Sequence, residues 1–115
     1  MADPNREQFD MLRSLFNEMY DEVNEQKKKK PDSMANAFKV KRINKILTPL
    51  YDLMREEPYA EFLELIPEPT EEKAGRGTVE TGLSYSDIAL VLSQYRSALS
   101  QFYQNYFYTP IDFGI

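Results

Sequence analysis

Cysteine, histidine and tryptophan are all absent from this chain of 115 residues. Without cysteine the chain has no disulfide framework, no thiol nucleophile and no Cys-based zinc site. Without histidine it lacks the base that activates a serine nucleophile and the Glu-x-x-His ligands of helical di-iron sites. We therefore expect no enzymatic activity, no metal or other cofactor and no small-molecule substrate.

Long apolar runs are absent as well. The longest covers residues 88–92, whereas a membrane-spanning helix needs roughly 20 apolar residues. The first residues, Met1-Ala2-Asp3-Pro4, lack the positive and apolar regions of a secretory signal. These features predict a cytoplasmic protein without a membrane partner.

The charges that are present are unevenly distributed. The chain holds 14 Lys and Arg against 19 Asp and Glu, which gives a formal charge of −5, and 42% of its residues are hydrophobic. This composition is typical of a folded protein, and the length predicts a single helical domain over residues 1–115. Residues 27–45, however, contain eight cations and one acid, so they carry +7 and the rest of the chain carries −12.

Apolar residues repeat at steps of three and four along most of the chain, which predicts an all-α fold. The first such stripe begins at Phe9, and the last begins at Ile88. We expect a small helical bundle with three main helices, over residues 5–26, 33–57 and 84–107, and one short helix over residues 58–66.

The ends of the predicted helices carry recognisable signals. Asp32 or Ser33 is the predicted cap of the second helix, and Ser84-Tyr85-Ser86-Asp87 forms a capping box for the last one. Pro49 falls inside the second helix. We favour a continuous helix that kinks near Ile46 over a restart with Thr48 as cap, because the apolar stripe keeps its phase through the proline.

Two segments lack a helical pattern. Residues 67–82 hold three of the four glycines and four glutamates, so we expect a flexible, mobile loop without strands before the last helix. Residues 108–115 form an extended aromatic tail, because Pro110 ends the last helix.

The first candidate site is the basic segment 27–45, where a basic loop leading into a basic helix face can contact phosphates or an acidic partner. Its eight cations, here called the basic cluster, are Lys27, Lys28, Lys29, Lys30, Lys39, Lys41, Arg42 and Lys45. Two alternatives stay open. The cluster can be a solvated polar face, or it can pair with the acids of the first helix, which are Glu18, Asp21, Glu22 and Glu25.

The second candidate site is the last helix with the tail. Small uncharged side chains repeat there at steps of four, three and four, and several aromatic residues do not fit the core stripe. The candidate interface residues are Ser93, Ser97, Ser100, Gln104, Tyr103, Phe107, Tyr108 and Phe113. A twofold mate can cover this face. We favour the alternative in which the same chain covers the stripe and the tail folds back over the core.

These observations favour a small non-enzymatic helical protein that acts by protein–protein interaction. Its partner is an unknown protein or a second copy of the chain in a homodimer. The alternative is a nucleic-acid-associated accessory protein that uses the basic segment 27–45. The acidic total charge makes nucleic acid the weaker candidate partner.

Overall fold

The computed structural model of the chain describes residues 4–75 and 77–107. The predicted all-α bundle of three main helices and one short helical element is confirmed. In chain order the elements are α1 (Pro4–Lys29), α2 (Ala37–Met54), a 3-10 helix (Pro58–Phe62), β1 (Thr70–Ala74), β2 (Gly77–Thr81) and α3 (Tyr85–Tyr106).

The core is built from the apolar faces of the three α-helices. α1 packs against both α2 and α3, because its apolar stripe is buried at Phe9, Leu12, Phe16, Met19 and Val23. Each large apolar side chain that is fully buried contributes about 1.5–3 kcal/mol. α3 buries eight residues, consistent with a helix that has little charge and is covered on more than one side.

α1 continues three residues beyond its predicted end at residue 26. Lys27, Lys28 and Lys29 form its last turn, and the Lys30 N–H donates to the carbonyl of Gln26 at 2.7 Å. Lysine is a good helix former, and cations interact favourably with the carbonyl end of a helix. Three lysines of the expected basic loop are therefore helical.

α2 begins later than predicted. Its cap is Asn36, whose side chain accepts a hydrogen bond from the Lys39 N–H at 2.9 Å. Ser33, one of the two expected caps, makes a different interaction: its carbonyl accepts a hydrogen bond from the Tyr85 N–H at 2.8 Å. The segment before α2 is thus held against the start of α3. Pro49 lies inside one continuous helix, as predicted.

The short element after α2 is a 3-10 helix that ends at Phe62, four residues before its predicted end. The chain then runs extended, and Leu63 and Ile66 are both buried. Asn44 of α2 holds this segment in place, because its side-chain amide bonds both the N–H and the carbonyl of Ile66.

The structure differs from the predicted loop at residues 70–81, where β1 and β2 pair as an antiparallel hairpin. The register runs from Thr70 opposite Thr81 to Ala74 opposite Gly77, so the turn between the strands begins at Gly75. Gly75 has a φ of +64°, and glycine adopts this left-handed conformation without steric cost. The hairpin pairs its own backbone, so it forms without the apolar residues that core packing requires.

α3 begins as the capping box predicts. The hydroxyl of Ser84 accepts a hydrogen bond from the Asp87 N–H at 3.2 Å. The helix ends at Tyr106, one residue before the predicted end. The predicted tail over residues 108–115 lies outside the described residues.

Candidate functional site

A groove of about 400 Å³ lies between α1 and α2. The two helices are joined by seven residues and pack against each other, so α2 runs back alongside α1. Met19 and Val23 of α1 and Ile43 of α2 are buried and give the groove an apolar floor, which Tyr85 of α3 completes. An apolar cleft between helices with polar groups at its edge is a common form of binding site.

The two rims of this groove carry opposite charge. Glu18 and Glu22 of α1 form an acidic rim. Lys39, Arg42 and Lys45 of α2 form a basic rim. All of these side chains are exposed except Lys39, which is half-buried. The helical spacing explains the arrangement, because residues three or four apart share one face of a helix.

No ion pair joins the two rims in the part of the chain that the structure describes. The ion pairs found there are local: Arg6 with Asp10, Glu25 with Lys28, and Arg55 with Glu56. Among the described residues, pairing of the basic cluster with an acid of the first helix is found only for Lys28, whose ammonium lies 3.6 Å from the carboxylate of Glu25 on the same helix. The rim charges are therefore free to contact another molecule.

Two exposed apolar side chains stand at opposite ends of the groove. Phe38 is 69% exposed and Leu15 is 42% exposed. The guanidinium of Arg42 lies 5.9 Å from the centre of the Phe38 ring, and the ammonium of Lys39 lies 5.8 Å from the centre of the Tyr85 ring. These cation–π contacts hold the basic rim beside apolar surface. Phe38 falls within the apolar spacing of the second helix, which by itself predicts a core position, but the structure leaves its side chain exposed.

The basic cluster is divided between three places. Lys27, Lys28, Lys29 and Lys30 are exposed at the end of α1. Lys41 is exposed on α2 and does not line the groove, whereas the remaining three cations form the basic rim. In the sequence these eight residues form one basic segment. The fold places four of them at the end of α1 and three on the rim of the groove.

A second groove, of about 790 Å³, lies between the 3-10 helix and α3. Ser93 and Ser97 of the predicted interface line it, whereas Ser100 and Gln104 are exposed and do not. The lining stripe continues instead at steps of four, through Gln101 and Asn105. The 3-10 helix contacts α3 and lies across this groove from part of the small-residue stripe, while Ser97 stays exposed.

Tyr103 and Phe107 of the predicted interface also pack against their own chain. The Phe9 ring centre lies 6.2 Å from that of Tyr103 and 5.0 Å from that of Phe107. The Arg6 guanidinium lies over both rings, at 5.4 and 5.2 Å. Two further interface residues, Tyr108 and Phe113, lie outside the described residues.

Three tyrosines have raised pKa values. The pKa values of Tyr95 and Tyr59 are each raised to about 12, mainly by burial of the hydroxyl. The pKa of Tyr106 is raised because its hydroxyl donates a hydrogen bond to the Glu57 carboxylate. All three hydroxyls are neutral at pH 7, and a general base needs a pKa near the working pH.

The described residues include no group of three or more side chains that could hold a metal ion. Within the same part of the chain, no helix is both long and apolar enough to cross a membrane. No protein-family model matches the chain, and neither does any curated protein or solved structure.

Proposed function

We propose that this chain is a non-enzymatic helical protein of the cytoplasm that acts by protein–protein interaction, and that the groove between α1 and α2 binds the partner. The observation that carries the proposal is an open apolar groove whose rims bear opposite charges that do not pair with each other. An exposed apolar surface rimmed by polar residues is typical of interaction sites.

The groove suits a helical segment of a partner protein. Such a segment places its apolar face on the floor and its polar flanks against the rims. Removing Phe38 and Leu15 from water favours binding by about 25 cal/mol per Å² of apolar surface. The rim charges determine the orientation of the bound segment and raise its rate of association.

A selection from a displayed library of amphipathic helical peptides tests this proposal. We expect the wild-type chain to enrich peptides that no longer bind when Phe38 is replaced by glutamate, because that change places a charge beside the apolar floor. Affinity of the enriched peptides is then measured by titration with the purified chain.

The matched control is Phe62→Glu, which places the same charge at a similarly exposed phenylalanine, 63% exposed, outside this groove. The control should bind the enriched peptides as the wild type does. Equal binding by the wild type and Phe38→Glu would contradict the proposal, and so would the failure of a wild-type chain that is monomeric in solution to enrich any peptide.

The second candidate function is the nucleic-acid-associated role. It rests on the exposed lysines 27–30, of which only Lys28 has an ion-pair partner among the described residues. Phosphate contacts weaken steeply with salt, so elution from a polyanion column across a salt series tests it. A variant with these four lysines changed to glutamate should elute much earlier; unchanged elution would exclude the role.

A further inference from the structure

We infer that the molecule bound in the groove between α1 and α2 is a second copy of this chain, related to the first by a twofold axis parallel to the groove. This inference rests on the proposed function, because it identifies the partner for the same groove. The observation behind it is the charge pattern of the two rims, which is complementary to itself in one orientation.

The order of the charges along the groove is fixed by the antiparallel course of the two helices. Starting from the connection between α1 and α2, the acidic rim presents Glu22 and then Glu18, while the basic rim presents Arg42 and then Lys45. Each rim thus carries two exposed charges, one nearer to and one farther from the connection between the helices. Glu22 and Arg42 are the pair nearer the connection.

A twofold axis along the groove exchanges the rims without reversing this direction. The acidic rim of one copy then faces the basic rim of the other, with Glu22 opposite the partner's Arg42 and Glu18 opposite the partner's Lys45. Both rims are satisfied at once, because the contact occurs twice in a symmetric dimer. A twofold axis across the groove would instead place the acidic rim against the partner's acidic rim and the basic rim against the partner's basic rim, and like charges repel.

The apolar residues agree with the same arrangement. Phe38 and Leu15 stand at opposite ends of the groove and on opposite rims. When two copies close on each other, Phe38 and Leu15 of each copy are covered by the facing rims of the other copy and leave water. The dimer therefore combines a buried apolar centre with charged edges, as protein interfaces commonly do.

Charge reversal on one rim at a time tests the inference in solution. One variant carries Glu18→Lys with Glu22→Lys, and the other carries Arg42→Glu with Lys45→Glu. Sedimentation equilibrium should find a wild-type dimer whose dissociation constant rises with salt. Each variant alone should dimerise at least about tenfold more weakly, because like charges now oppose each other across the interface.

An equimolar mixture of the two variants is the decisive sample. One chain then has two basic rims and the other has two acidic rims, so a heterodimer restores every charge contact. We expect the mixture to dimerise with an affinity close to that of the wild type. A mixture that stays monomeric, or variants that dimerise as well as the wild type, would overturn the inference.

The control variant Glu61→Lys with Glu68→Lys makes the same change in net charge as Glu18→Lys with Glu22→Lys, but at exposed positions that do not line the groove. It should dimerise as the wild type does, and circular dichroism checks that every variant is folded. A monomeric wild type whose groove still selects helical peptides would overturn the second-copy inference and leave the proposed function standing. A monomer whose groove selects no peptide would overturn both.

Discussion

Replacing Asn44 by alanine should destabilise the fold by far more than a typical surface substitution. The Asn44 Nδ2 donates to the carbonyl of Ile66 at 2.8 Å, and its Oδ1 accepts from the Ile66 N–H at 3.0 Å. These two bonds tie α2 to the extended chain after the 3-10 helix. Ile66 is only 2% exposed, so water has little access to the backbone groups that the substitution would free.

The size of the effect follows from those two bonds. A hydrogen bond contributes about 0.5–1.5 kcal/mol net, and a buried backbone group left without a partner costs about 1–3 kcal/mol. For Asn44→Ala we expect a loss of about 2–4 kcal/mol in the free energy of unfolding. Urea denaturation followed by far-ultraviolet circular dichroism measures this loss.

Asn24→Ala is the matched control, because Asn24 makes one local bond, to the carbonyl of Tyr20 at 2.9 Å. It should cost less than about 1 kcal/mol. Asn44→Asp tests the direction of the pH dependence. Only the neutral carboxylic acid can donate a hydrogen bond to the Ile66 carbonyl, so folding raises the pKa of the introduced aspartate. The variant should therefore regain stability as the pH falls. Equal losses for Asn44→Ala and Asn24→Ala would refute the reasoning.

Further stability predictions concern Tyr95, the cap of α3 and the turn of the hairpin. The buried Tyr95 hydroxyl has no hydrogen-bond partner among the described residues, so Tyr95→Phe should leave stability unchanged or raise it by about 1 kcal/mol in urea denaturation. A loss would contradict this reading. Because folding raises the pKa of Tyr95 from 10.0 to about 12, its contribution to wild-type stability should be complete below pH 10 and be lost as the pH rises towards 12. The variant should therefore lose less stability over this range than the wild type, and the part that remains comes from Tyr59 and Tyr106, whose pKa values are also raised. Ser84→Ala should cost about 1 kcal/mol, because the Asp87 N–H loses its acceptor; no loss in the same assay would contradict the capping geometry. Gly75→Ala should destabilise the hairpin by about 1–2 kcal/mol, because alanine is strained at positive φ. Hydrogen exchange should quicken at the hairpin amides alone, and unchanged exchange would contradict the turn.

The helices could be predicted because each depends on a local pattern. The three-and-four spacing of apolar residues places α1, α2 and α3, and the Ser84 cap fixes the start of α3. The start of α2 could not be predicted in the same way. Its expected cap is displaced by a hydrogen bond between Ser33 and Tyr85, residues that are 52 positions apart in the sequence, and local spacing carries no information about such a contact.

Only part of the candidate site could be predicted from the sequence. Both charged groups could be identified, namely the acids of the first helix and the cations of the second. Whether they pair depends on the width of the groove between the helices, which is set by the packing of Met19, Val23 and Ile43 on its floor. The exposure of Phe38 depends on the same packing, because the helical stripe alone places that residue in the core.

The absence of cysteine allows the pairing of the two rims to be tested directly. One population of the chain carries Glu22→Cys and a second carries Arg42→Cys, so every disulfide must join the introduced residues, and it forms only where their Cα atoms approach to about 4.4–6.8 Å. A twofold axis along the groove brings Glu22 opposite the partner's Arg42 and keeps identical positions apart. We therefore expect rapid formation of the mixed disulfide dimer and slow cross-linking of either population alone. Cross-linking that is no faster in the mixture than in the separate populations would contradict it.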